Sequence, residues 1–184
     1  ASKDIILVGH EGHPEVEGTM GRHINSDNSS IYLVQNESDA KNIKINNPTK
    51  LALVTQTTLS VDETKSIIDI LKYRFPDIDI PKKDDICYAT QNRQDAVKQL
   101  ALESDFMIVV GSKNSSNSNR LSELAEKCGC RSILIDEFTD IDLDDLNKYS
   151  KISITAGASA PESKVMEIAK SLELHTDAKI IEHG

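Results

Sequence analysis

Small polar residues are concentrated between Gly111 and Arg120, directly after the apolar run Phe106–Val110. The apolar run predicts a buried strand, and the pattern over residues 117–127 predicts a helix. The polar segment therefore connects the carboxyl end of a strand to the amino end of a helix, which is where open α/β sheets bind ligands. Free N–H groups and the helix dipole favour an anion at such a position. We expect an anion site here, and a polar loop with one capping serine is the simpler alternative.

Three other apolar runs are also followed by small polar residues. The segments after those runs are Gly9–Thr19, Thr55–Ser60 and Thr155–Glu162. In a parallel sheet all such loops lie at the same edge. Hydroxyl, amide, imidazole and carboxylate groups are therefore expected at one edge, or at the facing edges of two subdomains.

The first of these segments contains two histidines and a candidate proton donor. His10 and His13 are three residues apart, not four, and Gly12 with Pro14 disfavours a helix between them, so a zinc-protease type of metal pair does not fit. An imidazole that binds phosphate, with Glu15 as a proton donor or relay, fits a loop better. Loop packing for His10 and a first-turn helix acid for Glu15 are the simpler alternatives.

The three cysteines, an odd and small number, favour a reducing compartment. Cys87 precedes a predicted helix, whose amino terminus would stabilise a thiolate and suit a nucleophile or a metal ligand. A structural role for Cys87 is equally open on the local sequence. Cys128 and Cys130 are spaced too closely for an ordinary disulfide and are expected to be structural.

Apolar runs and helical patterns alternate along the whole chain, which predicts an α/β protein with parallel sheets flanked by helices. A break at residues 81–85 predicts two similar subdomains, residues 1–84 and 85–184. The predicted strands are 5–8, 31–34, 51–54, 77–80, 106–110, 132–135, 151–155 and 178–181. The predicted helices are 14–20, 38–42, 61–74, 91–104, 117–127, 143–149 and 161–172.

The composition excludes several classes of protein. A net charge of −9 disfavours non-specific binding to nucleic acid or to an anionic membrane. The longest apolar run is about five residues, too short for a transmembrane helix. A sugar- or nucleotide-phosphate enzyme would need a glycine fingerprint or a phosphate-binding Walker loop, and the sequence contains neither.

Five segments in order resemble the LytB family of 4-hydroxy-3-methylbut-2-enyl diphosphate reductases. These segments are Gly9–Thr19, Thr55–Val61, Lys83–Thr90, Gly111–Arg120 and Thr155–Pro161. The resemblance implies a three-lobed α/β trefoil around a central cavity that holds a [4Fe–4S] cluster on three cysteines, one per lobe. It implies reductive dehydroxylation of an allylic diphosphate to isopentenyl and dimethylallyl diphosphates, the last step of the non-mevalonate isoprenoid route. An electron donor such as ferredoxin or flavodoxin is implied as partner, and the cytoplasm as location, or a plastid or related organelle in a eukaryote.

The resemblance also implies a role for individual residues. Cys87 matches a cluster ligand, Glu15 matches the proton-relay acid, and Thr57 matches a residue that helps to hold the substrate hydroxyl. The residues that match diphosphate or substrate binders are His13, Ser115, Ser116, Asn117 and Ser159.

The segments correspond to the second lobe (residues 1–84) and the third lobe with a C-terminal segment (residues 85–184) of the family. The amino-terminal lobe is expected to be absent, and with it two of the three cluster cysteines. The isolated chain is then expected to be inactive. A redox-inert diphosphate-binding module is the alternative function.

Overall fold

The computed structural model describes residues 3–23, 29–81, 88–177 and 179. The chain divides into two compact units, Ala1–Cys87 and Tyr88–Gly184. Each unit contains one three-stranded parallel sheet with helices packed against it. The predicted α/β class with two small parallel sheets is confirmed.

In the first unit three strands alternate with three helices. The strands are β1 (Asp4–Val8), β2 (Ile31–Val34) and β3 (Leu51–Thr55), and the helices are α1 (Pro14–His23), α2 (Glu37–Asn42) and α3 (Val61–Arg74). The strand order is β2-β1-β3, and the last residue of β1, Val8, lies opposite Val34 and Thr55. The loops after β1 and β3 therefore start side by side at the carboxyl edge of the sheet.

The second unit repeats this arrangement. A helix, α4 (Tyr88–Glu103), precedes it, and the strands are β4 (Phe106–Val110), β5 (Arg131–Ile135) and β6 (Ile152–Ala156). The helices that follow these strands are α5 (Ser116–Lys127), α6 (Leu143–Leu146), after one 3₁₀ turn at Phe138–Asp140, and α7 (Glu162–His175). The order is β5-β4-β6, and Val110 lies opposite Ile135 and Ala156. In both sheets the first strand in sequence is central.

The central strands carry the cores, as their apolar sequences require. All five residues of β4 are buried, because this strand is covered on both faces. In the second unit, one hydrophobic cluster around Met107 and Leu121 includes residues of α4 and α5. Another, around Phe106 and Ile168, includes residues of α6 and α7. In the described residues of the first unit, one cluster surrounds Ile6 and Leu71.

Local sequence features determine the bounds of α3, the last helix of the first unit. Ser60 caps α3 by accepting a hydrogen bond from the Glu63 N–H at 3.5 Å. Acidic residues in the first turn and basic residues in the last turn complement the helix dipole. The observed bounds of α3 equal the predicted ones. None of the helices in the described ranges is long and apolar enough to cross a membrane.

In the described part of the chain, one predicted strand is not formed and one predicted helix is shorter than predicted. The strand predicted over residues 77–80 is wrong: only an isolated bridge joins Asp79 to Ala52. Pro81 follows directly, and a proline has no N–H with which to extend the pairing. The helix predicted over 143–149 ends at Leu146. The strand predicted over 178–181 lies outside the described residues.

Candidate functional site

A carboxylate is fixed at the carboxyl edge of the first sheet. Glu15, in the first turn of α1, is half-buried, and its side chain reaches the loop after β3. The Thr57 N–H lies 3.1 and 3.2 Å from the two carboxylate oxygens, and the Thr57 hydroxyl donates a hydrogen bond to Oε2 at 3.1 Å. The structure thus brings together Glu15 and Thr57, which lie in two separate segments of the sequence.

The start of α1 explains how Glu15 reaches this position. Gly12 has a φ of +80°, a conformation that glycine adopts without strain, and Pro14 is the first helical residue. His13 precedes the helix, and its Nδ1 accepts a hydrogen bond from the Glu15 N–H at 3.3 Å. His10 and His13 therefore lie in the loop and not on a helix, as predicted.

Gln56 is a site residue that the sequence interpretation did not select. Its side chain is 2% exposed. The amide oxygen accepts a hydrogen bond from the His10 N–H at 3.1 Å, and the amide nitrogen donates one to the Thr58 hydroxyl at 3.0 Å. Gln56 thereby joins the loop before α1 to the loop that carries Thr57. The only sequence signal was its position between two threonines directly after a strand.

Gly9 allows α1 to approach the end of β1. A Cβ atom on Gly9 would lie 2.6 Å from Cγ2 of the fully buried Val16. We predict that Gly9→Ala lowers the free energy of unfolding by about 1–3 kcal/mol, because a packed core must move to admit the methyl group. Urea denaturation would measure the change.

Gly18→Ala is the matched control for this prediction. Gly18 lies in α1, the helix that carries Val16. Apart from the adjoining backbone of this helix, no atom of the described residues lies within 4 Å of its Cβ position. The substitution should raise stability by up to about 1 kcal/mol through helix propensity. Equal changes for the two variants would show that the close approach at Gly9 is unimportant.

In the second unit, the serine–asparagine segment forms the start of α5. Ser115 is the N-cap, and its hydroxyl accepts a hydrogen bond from the Ser118 N–H at 3.3 Å. Ser116 and Asn117 occupy the first turn, so the three predicted anion binders lie together at a helix amino terminus. The capping alternative explains Ser115 but not its two neighbours.

Asn117 is the unusual residue of this helix start. Its side chain is 6% exposed, yet among the described residues no group hydrogen-bonds to its amide oxygen or its amide nitrogen. The Ser118 hydroxyl, fully buried, also lacks a partner in the described part of the chain. Buried polar groups are nearly always paired in proteins, so an unpaired amide at a helix amino terminus is typical of a ligand site.

The loop after β6 meets the start of α5 at Gly157. A Cβ atom on Gly157 would lie 2.1 Å from Ser118 Oγ, and one on Gly111 would lie 2.2 Å from the same atom. Both glycines are therefore required for the close approach of α5 to the two strand ends. Ser159, two residues after Gly157, is exposed at this edge of the sheet. The loop that carries Ser159 thus adjoins the start of α5.

The cysteines do not form a metal centre in the described part of the chain. Cys87 lies outside the described residues. Cys130 is 1% exposed in the core beside Met107, and burial, with smaller effects of Asp105 and Cys128, raises the pKa of its thiol. Cys128 is the C-cap of α5. Both positions agree with the structural role predicted for these two cysteines.

Comparisons with known proteins agree with this arrangement. The family model described as LytB protein matches residues 1–173. The 4-hydroxy-3-methylbut-2-enyl diphosphate reductase of Saccharophagus degradans is 57% identical over 170 residues, which cover 92% of this chain and 55% of that protein. The reductase of the same name from Chromohalobacter salexigens is 57% identical over 93% of this chain and 54% of its own length.

A solved structure shows the same fold. The structure of the E-1-hydroxy-2-methyl-but-2-enyl-4-diphosphate reductase from Plasmodium falciparum matches with a TM-score of 0.83 and 35% identity, over 92% of this chain and 52% of that one. The chain therefore spans about half the length of the relatives that it matches. The family model, the curated relatives and the shared fold agree, and the chain belongs to the LytB family.

Proposed function

We propose that the chain forms the second and third lobes of a 4-hydroxy-3-methylbut-2-enyl diphosphate reductase. The complete enzyme would remove the allylic hydroxyl as water, with two electrons and two protons, and release isopentenyl and dimethylallyl diphosphates. The names of its relatives support this reaction. The observation that carries it is the Glu15 carboxylate, which Thr57 holds with its N–H and its hydroxyl.

In this proposal Glu15 supplies a proton in the first unit. A carboxyl group that delivers a proton must be held in one orientation within hydrogen-bond reach of its acceptor. Thr57 holds the carboxylate with its N–H and its hydroxyl. In the proposal its hydroxyl also helps to hold the substrate hydroxyl. His13 completes the set as a diphosphate or substrate binder, since it lies directly before the helix that carries Glu15.

The second unit would bind the diphosphate. Ser115, Ser116 and Asn117 at the start of α5, and Ser159 in the neighbouring loop, offer hydroxyl and amide donors. The helix dipole favours an anion at this position. The buried Asn117 amide, without a partner among the described residues, supports the assignment most directly.

The proposed enzyme contains a [4Fe–4S] cluster, with Cys87 as one ligand and the other two cysteines in an amino-terminal lobe of the complete enzyme. The described residues do not fit such a cluster: no group of three or more His, Cys, Asp or Glu side chains among them could hold a metal ion. The proposed electron donor is a ferredoxin or flavodoxin, and the proposed location is the cytoplasm, or a plastid in a eukaryote.

We predict that the isolated chain folds but retains no stable [4Fe–4S] cluster after anaerobic reconstitution and desalting. One proposed thiolate of three would leave the other irons open to solvent and exogenous ligands. Iron analysis and visible absorbance would measure the outcome. Iron at about four atoms per chain, lost in Cys87→Ser, would contradict the prediction and show that the chain holds the cluster alone.

The same reconstitution with a supplied amino-terminal lobe tests the reductase function. A cluster that forms only with this lobe, and that depends on Cys87, supports the proposal. The alternative, a redox-inert diphosphate-binding module, predicts diphosphate binding and no cluster in either sample.

A further inference from the structure

The two units repeat the same backbone hydrogen bonds at the ends of their strands. In the first unit the Gly9 N–H donates to the Val34 carbonyl and the Gln56 N–H to the Val8 carbonyl. In the second unit the Gly111 N–H donates to the Ile135 carbonyl and the Gly157 N–H to the Val110 carbonyl. Gly9 in the first unit is therefore equivalent to Gly111 in the second. Gln56 is equivalent to Gly157.

The repeat continues into the loops and first helical turns. In the first unit the His13 N–H donates to the His10 carbonyl and the Glu17 N–H to the His13 carbonyl. In the second unit the Ser115 N–H donates to the Ser112 carbonyl and the Asn119 N–H to the Ser115 carbonyl. His10 is thus equivalent to Ser112, and Glu15 to Asn117. The contacts of the two glycines agree, since Gly9 faces Val16 and Gly111 faces Ser118, each seven positions later.

In the first unit, side chains of the unit itself accept the loop N–H groups. The four hydrogen bonds, each written from donor to acceptor, are His10 N–H to Gln56 Oε1 (3.1 Å), Glu11 N–H to Gln35 Oε1 (2.9 Å), Gly12 N–H to Glu17 Oε1 (3.2 Å) and Glu15 N–H to His13 Nδ1 (3.3 Å). These backbone N–H groups are therefore unavailable to an anion, because side chains of the unit already accept their hydrogen bonds.

In the second unit the equivalent loop is open. Gly157 has no side chain to replace the Gln56 amide, and Asp136, equivalent to Gln35, pairs with Lys164 at 2.7 Å. Within the described residues, no group accepts a hydrogen bond from the N–H of Ser112, Lys113 or Asn117. The buried Asn117 amide and Ser118 hydroxyl beside them also lack partners there.

We propose that Gly157 determines which of the two repeated loops accepts an anion. In the first unit the Gln56 amide oxygen receives the His10 N–H. In the second unit Gly157 leaves the equivalent place to a diphosphate oxygen, which receives the Ser112 N–H. This inference rests on the proposed function, since it adds a backbone donor and a selecting position to the proposed diphosphate site.

The test is to place a glutamine in the second unit. A Cβ on Gly157 would lie 2.1 Å from Ser118 Oγ, so the substitutions are made in a Ser118→Ala background. This background removes a hydroxyl that has no hydrogen-bond partner among the described residues. The variant is Ser118→Ala with Gly157→Gln. The matched control is Ser118→Ala with Gly157→Ala, which adds the Cβ without the amide.

Two measurements on the 184-residue chain report the result. Titration with inorganic diphosphate, followed by amide NMR, should shift the Ser112 and Asn117 N–H signals of the wild type and leave the His10 signal in place. The glutamine variant should bind diphosphate about tenfold more weakly than the alanine control, as expected for one lost charge-assisted hydrogen bond. Its Ser112 N–H should also exchange with solvent at least about tenfold more slowly than that of the control.

The outcomes separate the two proposals. Diphosphate binding by the wild type without a response of Ser112, or equal affinity in the glutamine and alanine variants, overturns the role of Gly157 and leaves the proposed function intact. Failure of the wild-type chain to bind diphosphate counts against the proposed function as well. A shift at His10 equal to that at Ser112 would show that both loops are open and would overturn the inference.

Discussion

Glu15→Gln in the complete enzyme is expected to lower turnover by ~10²–10⁴-fold, the usual cost of a lost general acid. The amide preserves the size of the side chain, and its oxygen can still accept one of the hydrogen bonds from Thr57. It cannot deliver a proton. Substrate affinity should therefore change little, and steady-state kinetics with a reduced electron donor would separate the two effects.

Glu11→Gln is the control for this experiment. It makes the same change of charge four residues earlier, at an exposed position in the loop before α1. The contact that the structure shows for Glu11 is made by its backbone N–H, which the substitution keeps. Turnover should stay near that of the wild type. If Glu15→Gln keeps its turnover and loses affinity instead, Glu15 is a binding residue and the proton-relay assignment is wrong.

Asn117→Ala is expected to weaken the binding of inorganic diphosphate by about tenfold to a hundredfold. Hydrogen bonds to a charged ligand contribute roughly 1.5–3 kcal/mol each. Stability should fall little, because within the described residues no group hydrogen-bonds to the amide that is removed. Calorimetry on the wild-type and variant chains would measure the affinity, and urea denaturation the stability.

Asn114→Ala is the matched control for the diphosphate measurement. Asn114 lies in the same loop but is exposed, and its backbone N–H, which the substitution keeps, donates to the Ser112 hydroxyl. Its affinity should equal that of the wild type. Equal affinity in Asn117→Ala would instead show that the start of α5 is capped for stability alone.

The elements that sequence predicts best here are those with a strong local signal. The apolar run Phe106–Val110 and the capped helix Val61–Arg74 have the predicted bounds. The strand predicted over 77–80 is wrong because a short apolar segment has the same local sequence in a turn as in a strand. Only the presence of a paired neighbouring strand distinguishes the two. The structure shows pairing with a single residue, Ala52.

The candidate site divides in the same way. Glu15 and the residues at the start of α5 were predicted because their types and their positions after strands are visible locally. The role of Gln56 was missed, since its partner His10 is 46 residues away in sequence and depends on the register of β1 against β3. The proposed role of Gly157 could be inferred only from its equivalence to Gln56. That equivalence depends on the strand pairing in both sheets.

The contact between each strand-end glycine and a buried helical residue seven positions later also fixes the length of the connecting loop. An α-helix turns by about 100° per residue, so one inserted or deleted residue before Pro14 would have to rotate α1 by that angle or unwind its first turn to keep Val16 in the core. Either adjustment would carry Glu15 away from Thr57. Tolerance to insertions in this loop should therefore be low, although it is an exposed surface segment of the kind that usually accepts them.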